Sequence, residues 1–244
     1  MRTGKAYEHL SEWFEYLNDD CGYDAWAQYL LARLRQFGAG KTGLELGCGS
    51  GAFCRALSQN GYTMSGADLS AAMLTKAERL AREAGLKIPF FKADAASLKT
   101  PEKYDFILSP NDCFNYIPPE KLVGAFKKVR KCLNESGIFL FDVSSEYKLM
   151  RKVADTVSAD DREEITYLSF NRLKGNSVEL DVTLFVKRKD GAFERFDETH
   201  IQYIHKEEFL VSALRDAGFA SVDVEGHLGE SKEGSDRLNF ICKK

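Results

Sequence analysis

The strongest constraint on the fold is a regular alternation of strand-like and helix-like segments between residues 42 and 142. In chain order, the predicted segments are a strand at 43–46, a helix at 52–60, a strand at 63–68, a helix at 71–84, a short strand ending near Asp94, a strand at 104–108, a helix at 119–133 and a strand at 137–142. Such alternation implies right-handed crossovers and a parallel sheet covered by helices on both faces. We therefore predict an α/β protein whose ligands bind at the carboxyl ends of the strands.

The segments on either side complete the predicted architecture. Residues 7–18 and 24–37 carry apolar residues at helical spacing, and Asp24 is the expected N-cap of the second helix. After the alternation come three strand-like runs joined by the hairpin pairs Gly175-Asn176 and Asp190-Gly191, then one helix and two strands. These segments are strands at 163–173, 177–189 and 193–205, a helix at 206–217, and strands at 221–225 and 237–242.

The middle run of the three alternates apolar and polar residues, which predicts an antiparallel meander with one buried face. Its apolar positions are Val178, Leu180, Val182, Leu184 and Val186. We expect this stripe to pack on the loops at the ends of the neighbouring strands. The chain would then consist of one α/β domain, residues 1–149 with 206–244, and an inserted antiparallel β lid or substrate subdomain, residues 150–205.

Composition disfavours several classes of function. The formal net charge is −3 and the isoelectric point is about 5.9, so a nucleic-acid partner is not expected. No apolar run approaches about 18 residues and no leader-like region opens the sequence, which predicts a cytoplasmic protein with no membrane partner. The six cysteines lack C-x-x-C spacing, so no metal site is predicted.

A glycine loop follows the first predicted strand, in the sequence LELGCGSG. The spacing Gly47-x-Gly49-x-x-Ala52 fits the dinucleotide fingerprint, in which glycines let the backbone approach a pyrophosphate. Glu45 argues against that ligand, because a carboxylate beside a phosphate-binding loop repels the phosphates. The same carboxylate would attract a cationic ligand.

Further acids follow the next two strands. Asp68 lies about 20 residues beyond the glycines, where an acid accepts hydrogen bonds from ribose hydroxyls. Asp94 ends the third strand, where it could accept a hydrogen bond from the adenine amino group, with the backbone of Ala95 beside it. Adenosine joined to a cationic group describes S-adenosylmethionine, which carries a sulfonium and an ammonium.

The motifs LELGCGSG, GADLS, KADAASL and YDFILSPNDCFNYI, in this order, resemble those of class I S-adenosylmethionine-dependent methyltransferases over about residues 40–145. The resemblance implies a Rossmann-like sheet of seven strands in the order 3-2-1-4-5-7-6. It also implies that the methionine portion lies at the loop, the ribose at Asp68 and the adenine beside Asp94. The implied cofactor-binding residues are Glu45, Gly47, Cys48, Gly49, Gly51, Asp68, Leu69, Met73, Asp94, Ala95 and Ser109. The N-terminal helices and the inserted meander are similar to those of amino-sugar and glycine N-methyltransferases.

Other candidate residues have two interpretations. Tyr16, Tyr23 and Trp26 either pack between helices or close over the methyl donor, because an aromatic face attracts a sulfonium. Asn115 and Tyr116, after the fourth strand, either belong to a solvated loop or contact the acceptor. His200 on the insertion either lies on a solvated face or contacts the substrate. The catalytic candidates are Tyr16, Asn115, Tyr116 and His200.

The predicted function is methyl transfer by in-line displacement to a small-molecule acceptor, an amine in preference to a hydroxyl. Such a reaction depends mainly on alignment and exclusion of water. Three alternatives remain: an RNA or protein methyltransferase, a protein that binds S-adenosylmethionine without turnover, and, as a more distant one, an NAD-dependent dehydrogenase. The oligomeric state is left open.

Overall fold

The computed structural model describes residues 2–4 and 7–244, whose strands form one sheet of seven strands and one of five. The strands are β1 (Arg2–Gly4), β2 (Thr42–Leu46), β3 (Thr63–Asp68), β4 (Phe90–Lys92), β5 (Tyr104–Ser109), β6 (Leu133–Ser144), β7 (Val157–Asp161), β8 (Ile165–Lys174), β9 (Ser177–Lys187), β10 (Phe193–Tyr203), β11 (Ser221–Gly226) and β12 (Arg237–Lys243). The α-helices are α1 (Phe14–Leu17), α2 (Tyr23–Gln36), α3 (Ala52–Gln59), α4 (Ala71–Glu83), α5 (Pro119–Cys132), α6 (Glu146–Lys148) and α7 (Glu207–Asp216).

The main sheet has the order β11-β12-β6-β5-β2-β3-β4. Its strands are parallel except β12, which runs antiparallel to both β6 and β11. Numbered along this sheet alone, the order is 3-2-1-4-5-7-6, which confirms the predicted fold class. The carboxyl ends of β2, β3, β4 and β5 consequently lie along one edge, where the predicted site residues are found.

Each face of the main sheet is covered by helices. On one face, α5 and α7 contribute Phe126 and Leu214 to a core that includes Phe139 and Phe240. On the other face, Leu34 of α2 and Leu57 of α3 pack with Phe106 and Leu140. Because both faces are buried, the parallel strands are rich in small and apolar residues on both faces, which explains why they were recognisable in the sequence.

The second sheet, here called the accessory sheet, has the order β1-β10-β9-β8-β7. Strands β7 to β10 are antiparallel neighbours, whereas β1 pairs parallel with β10. The sequence predicted three strands for this sheet, whereas the structure has five. The sequence of β7 (VSADD) lacks an apolar alternation, and β1 pairs with residues 196–198, a long-range pairing that leaves no local pattern.

The predicted helix at 7–18 is wrong. The structure has a 3-10 helix at Leu10–Glu12 and a four-residue α1 at Phe14–Leu17. Tyr7 adopts a positive φ of 60°, and the backbone N–H groups of Tyr7, His9 and Leu10 bond to the Glu198 carboxylate. These tertiary hydrogen bonds replace the helical pattern that periodicity alone suggested.

The helix that follows agrees with the prediction except at its start. Gly22, with a φ of 68°, is the N-cap of α2, and Asp24 lies in the first turn. Asp24 therefore makes no cap, although its charge is favourable beside the positive end of the helix. No helix in the described part of the chain is long and apolar enough to cross a membrane.

The apolar stripe of β9 also packs differently from the expectation. Val182 and Leu184 form a cluster with Leu10 and Ile165, against which Leu180, Val186 and the aromatic residues of the N-terminal segment pack. From Leu180 to Val186 the stripe therefore packs on residues 7–17, which the sequence analysis did not expect. These residues are called the cover segment below.

Candidate active site

The glycine loop joins β2 to α3 through three residues with positive φ. These are Gly47, Gly49 and Gly51, at 67°, 52° and 78°, a conformation that glycine adopts without strain. A Cβ at Gly47 would lie 2.5 Å from the sulfur of Cys113. The loop thus requires glycine for backbone conformation and, at Gly47, for space. It ends at the N-terminus of α3, where backbone N–H groups and the helix dipole create positive potential.

Glu45 lies beneath this loop at the end of β2 and is 2% exposed. Its Oε2 accepts a hydrogen bond of 2.8 Å from the backbone N–H of Cys54 in the first turn of α3. Burial raises the pKa of Glu45 to about 7, and the bond from Cys54 only partly opposes that rise. Glu45 therefore stabilises the start of α3, and its charge is available to pair with a cation at the loop.

Asp68 connects the glycine loop to the next helix. Its Oδ2 accepts a hydrogen bond from Gly49 N, and its Oδ1 accepts one from Ser70 N, both 2.8 Å long. Burial raises its pKa, and the hydrogen bonds from Ser70 and Gly49 partly oppose the rise. Asp68 thus fixes the backbone of Gly49 in the loop and of Ser70 before α4, beside the position expected for the ribose.

The expected adenine site lies at the ends of β3 and β4. Asp94 caps the 3-10 helix Ala95–Ser97, its Oδ1 accepting a hydrogen bond of 2.8 Å from Ala96 N. Leu69 is 61% exposed, whereas Met73 is buried. An exposed leucine beside an acid that still has free lone pairs suits a flat, hydrogen-bonding base.

The cover segment is held against the glycine loop and α4. Ser50 Oγ and Arg55 donate to Glu15 Oε1 at 2.5 Å and 3.0 Å. Lys76 Nζ donates to the main-chain oxygens of Ser11 and Glu12 at 3.0 Å and 2.6 Å. These contacts place the cover segment directly over the cofactor-binding edge of the main sheet.

The accessory sheet holds the other side of the cover segment. Glu198 of β10 is 2% exposed, and its Oε1 accepts hydrogen bonds of 2.6 Å from His9 N and 3.0 Å from Leu10 N. Arg162, between β7 and β8, donates to the main-chain oxygens of Tyr16 and Leu17. The accessory sheet therefore fixes the cover segment from behind.

Four side chains meet between the cover segment and the accessory sheet. The hydroxyls of Tyr7 and Tyr116 are 2.8 Å apart, and the Tyr116 hydroxyl lies 3.4 Å from His200 Nδ1. His200 Nε2 lies 3.2 Å from Glu198 Oε2. The structure thus brings together two of the catalytic candidates, Tyr116 and His200, with two residues that the sequence reasoning did not select.

A buried ion-pair network borders these side chains at the ends of β5, β6 and β12. Arg237 Nη1 lies 2.7 Å from both Asp112 Oδ1 and Asp142 Oδ2, and its guanidinium lies 5.0 Å from the ring centroid of Trp26. Burial would raise the pKa of Asp112, but Arg237 and Lys148 lower it below the usual value. Asp112 is accordingly ionised and accepts a hydrogen bond of 2.7 Å from Gln202.

The other candidates have mainly structural partners. Tyr16 is 42% exposed and lies under the Arg162 guanidinium, and Trp26 packs on Phe53. Ser109 Oγ donates to Leu46 O at 2.8 Å. The buried amide of Asn115 bonds to Ser144 and to Tyr203 O.

Two candidates near the glycine loop, Cys48 and Tyr23, differ in whether the side chain could bond to a ligand. Burial raises the pKa of Cys48 well above its usual value, which suits a packing role and not a nucleophile. The Tyr23 hydroxyl is buried without a described hydrogen-bond partner, and it is close enough to Glu45 for that charge to raise its pKa. Tyr23 is therefore the aromatic candidate that could still bond to a ligand at the loop.

Comparison with known proteins decides the family. Residues 44–137 match the model of a methyltransferase domain. A protein of Geobacillus sp. (strain WCH70) assigned as a methyltransferase is 31% identical over 246 residues, covering 98% of this chain and 100% of the relative. The chain belongs to the S-adenosylmethionine-dependent methyltransferases.

Two solved structures extend that result. An S-adenosylmethionine-dependent methyltransferase from Clostridium acetobutylicum has a TM-score of 0.87 and 26% identity, with 97% of each chain covered. The sugar N-methyltransferase KedS8 from Streptoalloteichus sp. has a TM-score of 0.80 and 18% identity, covering 94% of this chain and 90% of that one. The second likeness shows a shared fold over most of both chains.

The residues of this methyltransferase fit the cofactor of its family. The positive end of α3 and the Tyr23 hydroxyl suit a carboxylate, the buried Glu45 suits a cation, and Asp68 suits a diol. The residues that sequence reasoning missed are Tyr7, Glu15, Glu198, Gln202 and Arg237. Each has a hydrogen-bond partner more than 30 residues away in the chain, which no spacing rule could have identified.

Proposed function

We propose that this methyltransferase methylates an amine of a small molecule, with S-adenosylmethionine bound along the ends of β2, β3 and β4. The observation that carries the proposal is the enclosure of the adjoining strand ends by the cover segment and the accessory sheet. An enclosed site excludes water, which competes with a weak nucleophile. A duplex or folded protein would need an open groove here.

The cofactor supplies an electrophilic methyl group whose leaving group is activated by a positive charge. Glu45 would pair with the cationic portion, Asp68 would bind the ribose, and Asp94 with Ala95 would bind the adenine edge. Gly47, Gly49 and Gly51 would let the backbone approach the methionine portion. Tyr23 would close over that portion from α2.

The acceptor would enter between the loop after β5 and β10. Tyr7, Tyr116 and Gln202 present hydroxyl and amide groups there, and such groups recognise polyhydroxylated amines as readily as amino acids. KedS8, which has this architecture, is a sugar N-methyltransferase. We accordingly propose residues 150–205 as the subdomain that selects the acceptor.

The deciding experiment is a screen of amines, amino sugars and amino acids for release of S-adenosylhomocysteine. Asp68→Ala serves as the control that lacks the proposed ribose contact. Methylation of one of these compounds and not of RNA or protein substrates supports the proposal. Methylation of a macromolecule alone would overturn it, and cofactor binding without transfer to any acceptor would indicate a binding protein.

A further inference from the structure

The side chains between the cover segment and the accessory sheet form a continuous hydrogen-bonded chain. It runs from Tyr7 through Tyr116 and His200 to Glu198, with separations of 2.8, 3.4 and 3.2 Å. His200 is 4% exposed and Glu198 is 2% exposed. Burying an imidazole and a carboxylate together is costly unless their hydrogen bonds are satisfied, so their pairing constrains which atoms carry protons.

Glu198 determines the direction of the hydrogen bonds that link these four side chains. Its oxygens accept from Tyr7 N at 2.8 Å and from His9 N and Leu10 N. Burial would raise its pKa, but the hydrogen bonds from His200, Leu10 and His9 lower it below the usual value. Glu198 is therefore an ionised acceptor, and the His200 atom that faces it, Nε2, must carry hydrogen.

The tautomer of His200 then fixes the remaining bonds. With hydrogen on Nε2 alone, Nδ1 keeps its lone pair and accepts from the Tyr116 hydroxyl; the relay operates only in this form. The Tyr116 oxygen in turn accepts from Tyr7 OH and, at 3.5 Å, from Gln202 Nε2. The two phenol protons point toward His200, the Nε2 proton of His200 points toward Glu198, and the Tyr7 oxygen at the other end keeps a lone pair.

The open end of the chain lies beside the cofactor site. Ser70 Oγ, at the start of α4, donates to the Tyr7 main-chain oxygen at 3.2 Å. The Tyr7 phenol is also close enough to Asp68 and Asp112 for their charges to contribute to raising its pKa, after the larger effect of burial. An acceptor next to the ribose site would therefore meet the Tyr7 oxygen.

We propose that Tyr7, Tyr116, His200 and Glu198 form a proton relay that deprotonates the acceptor ammonium before methyl transfer. The inference rests on the proposed amine methylation. An N–H proton of the ammonium moves to the Tyr7 oxygen, the Tyr7 proton moves to Tyr116, and the Tyr116 proton moves to His200 Nδ1. The nitrogen keeps the electron pair of the broken N–H bond, which makes it a nucleophile. His200 becomes an imidazolium paired with Glu198 and later releases its proton to water.

Of the four relay residues, only Tyr7 touches the reacting nitrogen, and Tyr116, His200 and Glu198 act through it as positioning residues. Proton transfer of this kind contributes about 10²–10⁴-fold to a rate. The groups that face His200 come from three elements: Tyr7 from the cover segment, Tyr116 from the loop after β5, and Glu198 from β10 itself. Tyr167 of β8 is near enough to affect both Tyr116 and Glu198. The pH dependence of turnover must therefore be compared between the parental protein and variants that each change one side chain.

The first test concerns turnover of the acceptor found by the screen. His200→Asn keeps an amide oxygen near the Nδ1 position, which accepts from Tyr116 but cannot take the proton. We expect turnover at saturating acceptor to fall about 100-fold at pH values below the acceptor's own pKa and to recover above it. Tyr116→Phe should give the same pH-dependent loss, whereas Tyr104→Phe, which removes a phenol that bonds to Glu102 at the start of β5, should keep the parental profile.

The second test needs no acceptor and uses two probes. Sinefungin carries an ammonium where the cofactor carries its methyl group, whereas S-adenosylhomocysteine carries none. Tyr7→Phe should weaken sinefungin about tenfold relative to S-adenosylhomocysteine, and Tyr104→Phe should leave the ratio unchanged. NMR of the labelled imidazole should show neutral His200 with hydrogen on Nε2.

The outcomes separate the two proposals. A neutral His200 with hydrogen on Nδ1, an unchanged ratio in Tyr7→Phe, or a His200→Asn defect that is equal at every pH would overturn the relay. If no amine releases S-adenosylhomocysteine, the proposed function fails, while the tautomer and the sinefungin ratio still decide whether the chain of hydrogen bonds has the direction inferred here.

Discussion

Glu15 Oε1 of the cover segment accepts a hydrogen bond of 2.5 Å from the hydroxyl of Ser50 in the glycine loop. A residue of the loop that receives the cofactor is therefore held by the segment that covers it. If the cofactor binds at this loop as proposed, opening the cover segment for its release would break that bond and the neighbouring ion pair with Arg55. Exchange of the cofactor should thus depend on the cover segment.

We predict that Glu15→Ala raises the dissociation rate of S-adenosylhomocysteine about fivefold, because the loss of one hydrogen bond is worth about 1 kcal/mol. Stopped-flow displacement measures the rate. Glu12→Ala is the matched control, since that carboxylate is exposed and its main-chain oxygen still binds Lys76. Equal rates in the two variants would show that Glu15 does not restrain the cover segment.

Asp68→Asn should weaken S-adenosylhomocysteine by about 1.5–3 kcal/mol, the range for hydrogen bonds to a charged group. The variant keeps one acceptor oxygen, but it replaces the other, which receives an N–H from the loop or from Ser70. Isothermal titration calorimetry measures the affinity. Thermal unfolding of the ligand-free variant measures how much the substitution destabilises the fold itself. An unchanged affinity would remove Asp68 from the ribose site.

The raised pKa of Glu45 predicts a specific pH dependence. Its pKa of about 7 exceeds the ordinary value of 4.5, so the folded state keeps a proton that the unfolded state releases between these values. The free energy of unfolding should therefore fall as pH rises through this interval, by at most about 3 kcal/mol. Glu45→Gln should flatten that slope. Chemical denaturation at a series of pH values measures it, and a variant with the parental slope would contradict the assignment.

Glu45 should also couple cofactor binding to pH. The cationic methyl donor favours the ionised carboxylate, so its affinity should increase as pH rises through about 7, while that of adenosine should not. In Glu45→Gln the two ligands should show the same pH dependence. Titrations with both ligands make the comparison, and a parallel loss of both in the variant would mean that Glu45 only caps α3.

Arg237→Met should destabilise the protein by about 3–5 kcal/mol, because it leaves two buried carboxylates without their cation. The loss should diminish at low pH, where Asp112 and Asp142 become protonated. Denaturant unfolding at neutral and acidic pH measures both effects. Adding Asp112→Asn to Arg237→Met removes one of the uncompensated charges and should recover part of the stability, and a double variant no more stable than Arg237→Met would argue against the ion pair.

The main sheet was predictable because its signals are local. Buried parallel strands such as β2 and β5 have apolar residues at most positions, and Asp68 follows the glycine loop at a spacing that the topology fixes. The strand order required the family resemblance, since local patterns do not state which strands are neighbours.

The parts that were not predicted depend on distant partners. Residues 7–18 have helical periodicity, yet Glu198, about 190 residues later, takes their backbone N–H groups. The relay residues likewise come together only through tertiary structure. His200 was a candidate on residue type alone, and the prediction could not distinguish its buried face from the solvated one because β1 and the cover segment were missing from it.

The pairing of β1 with β10 and the contacts of Glu198 span most of the chain. Contacts of such sequence separation form late, because the intervening chain must be ordered before they contribute. During synthesis, the residues that form the main sheet up to β6 emerge well before β10. The newly made chain should therefore pass through a stage in which the proposed cofactor-binding edge has formed but is not yet covered. The N-terminal residues can pack over that edge only after about the last fifth of the sequence has been translated.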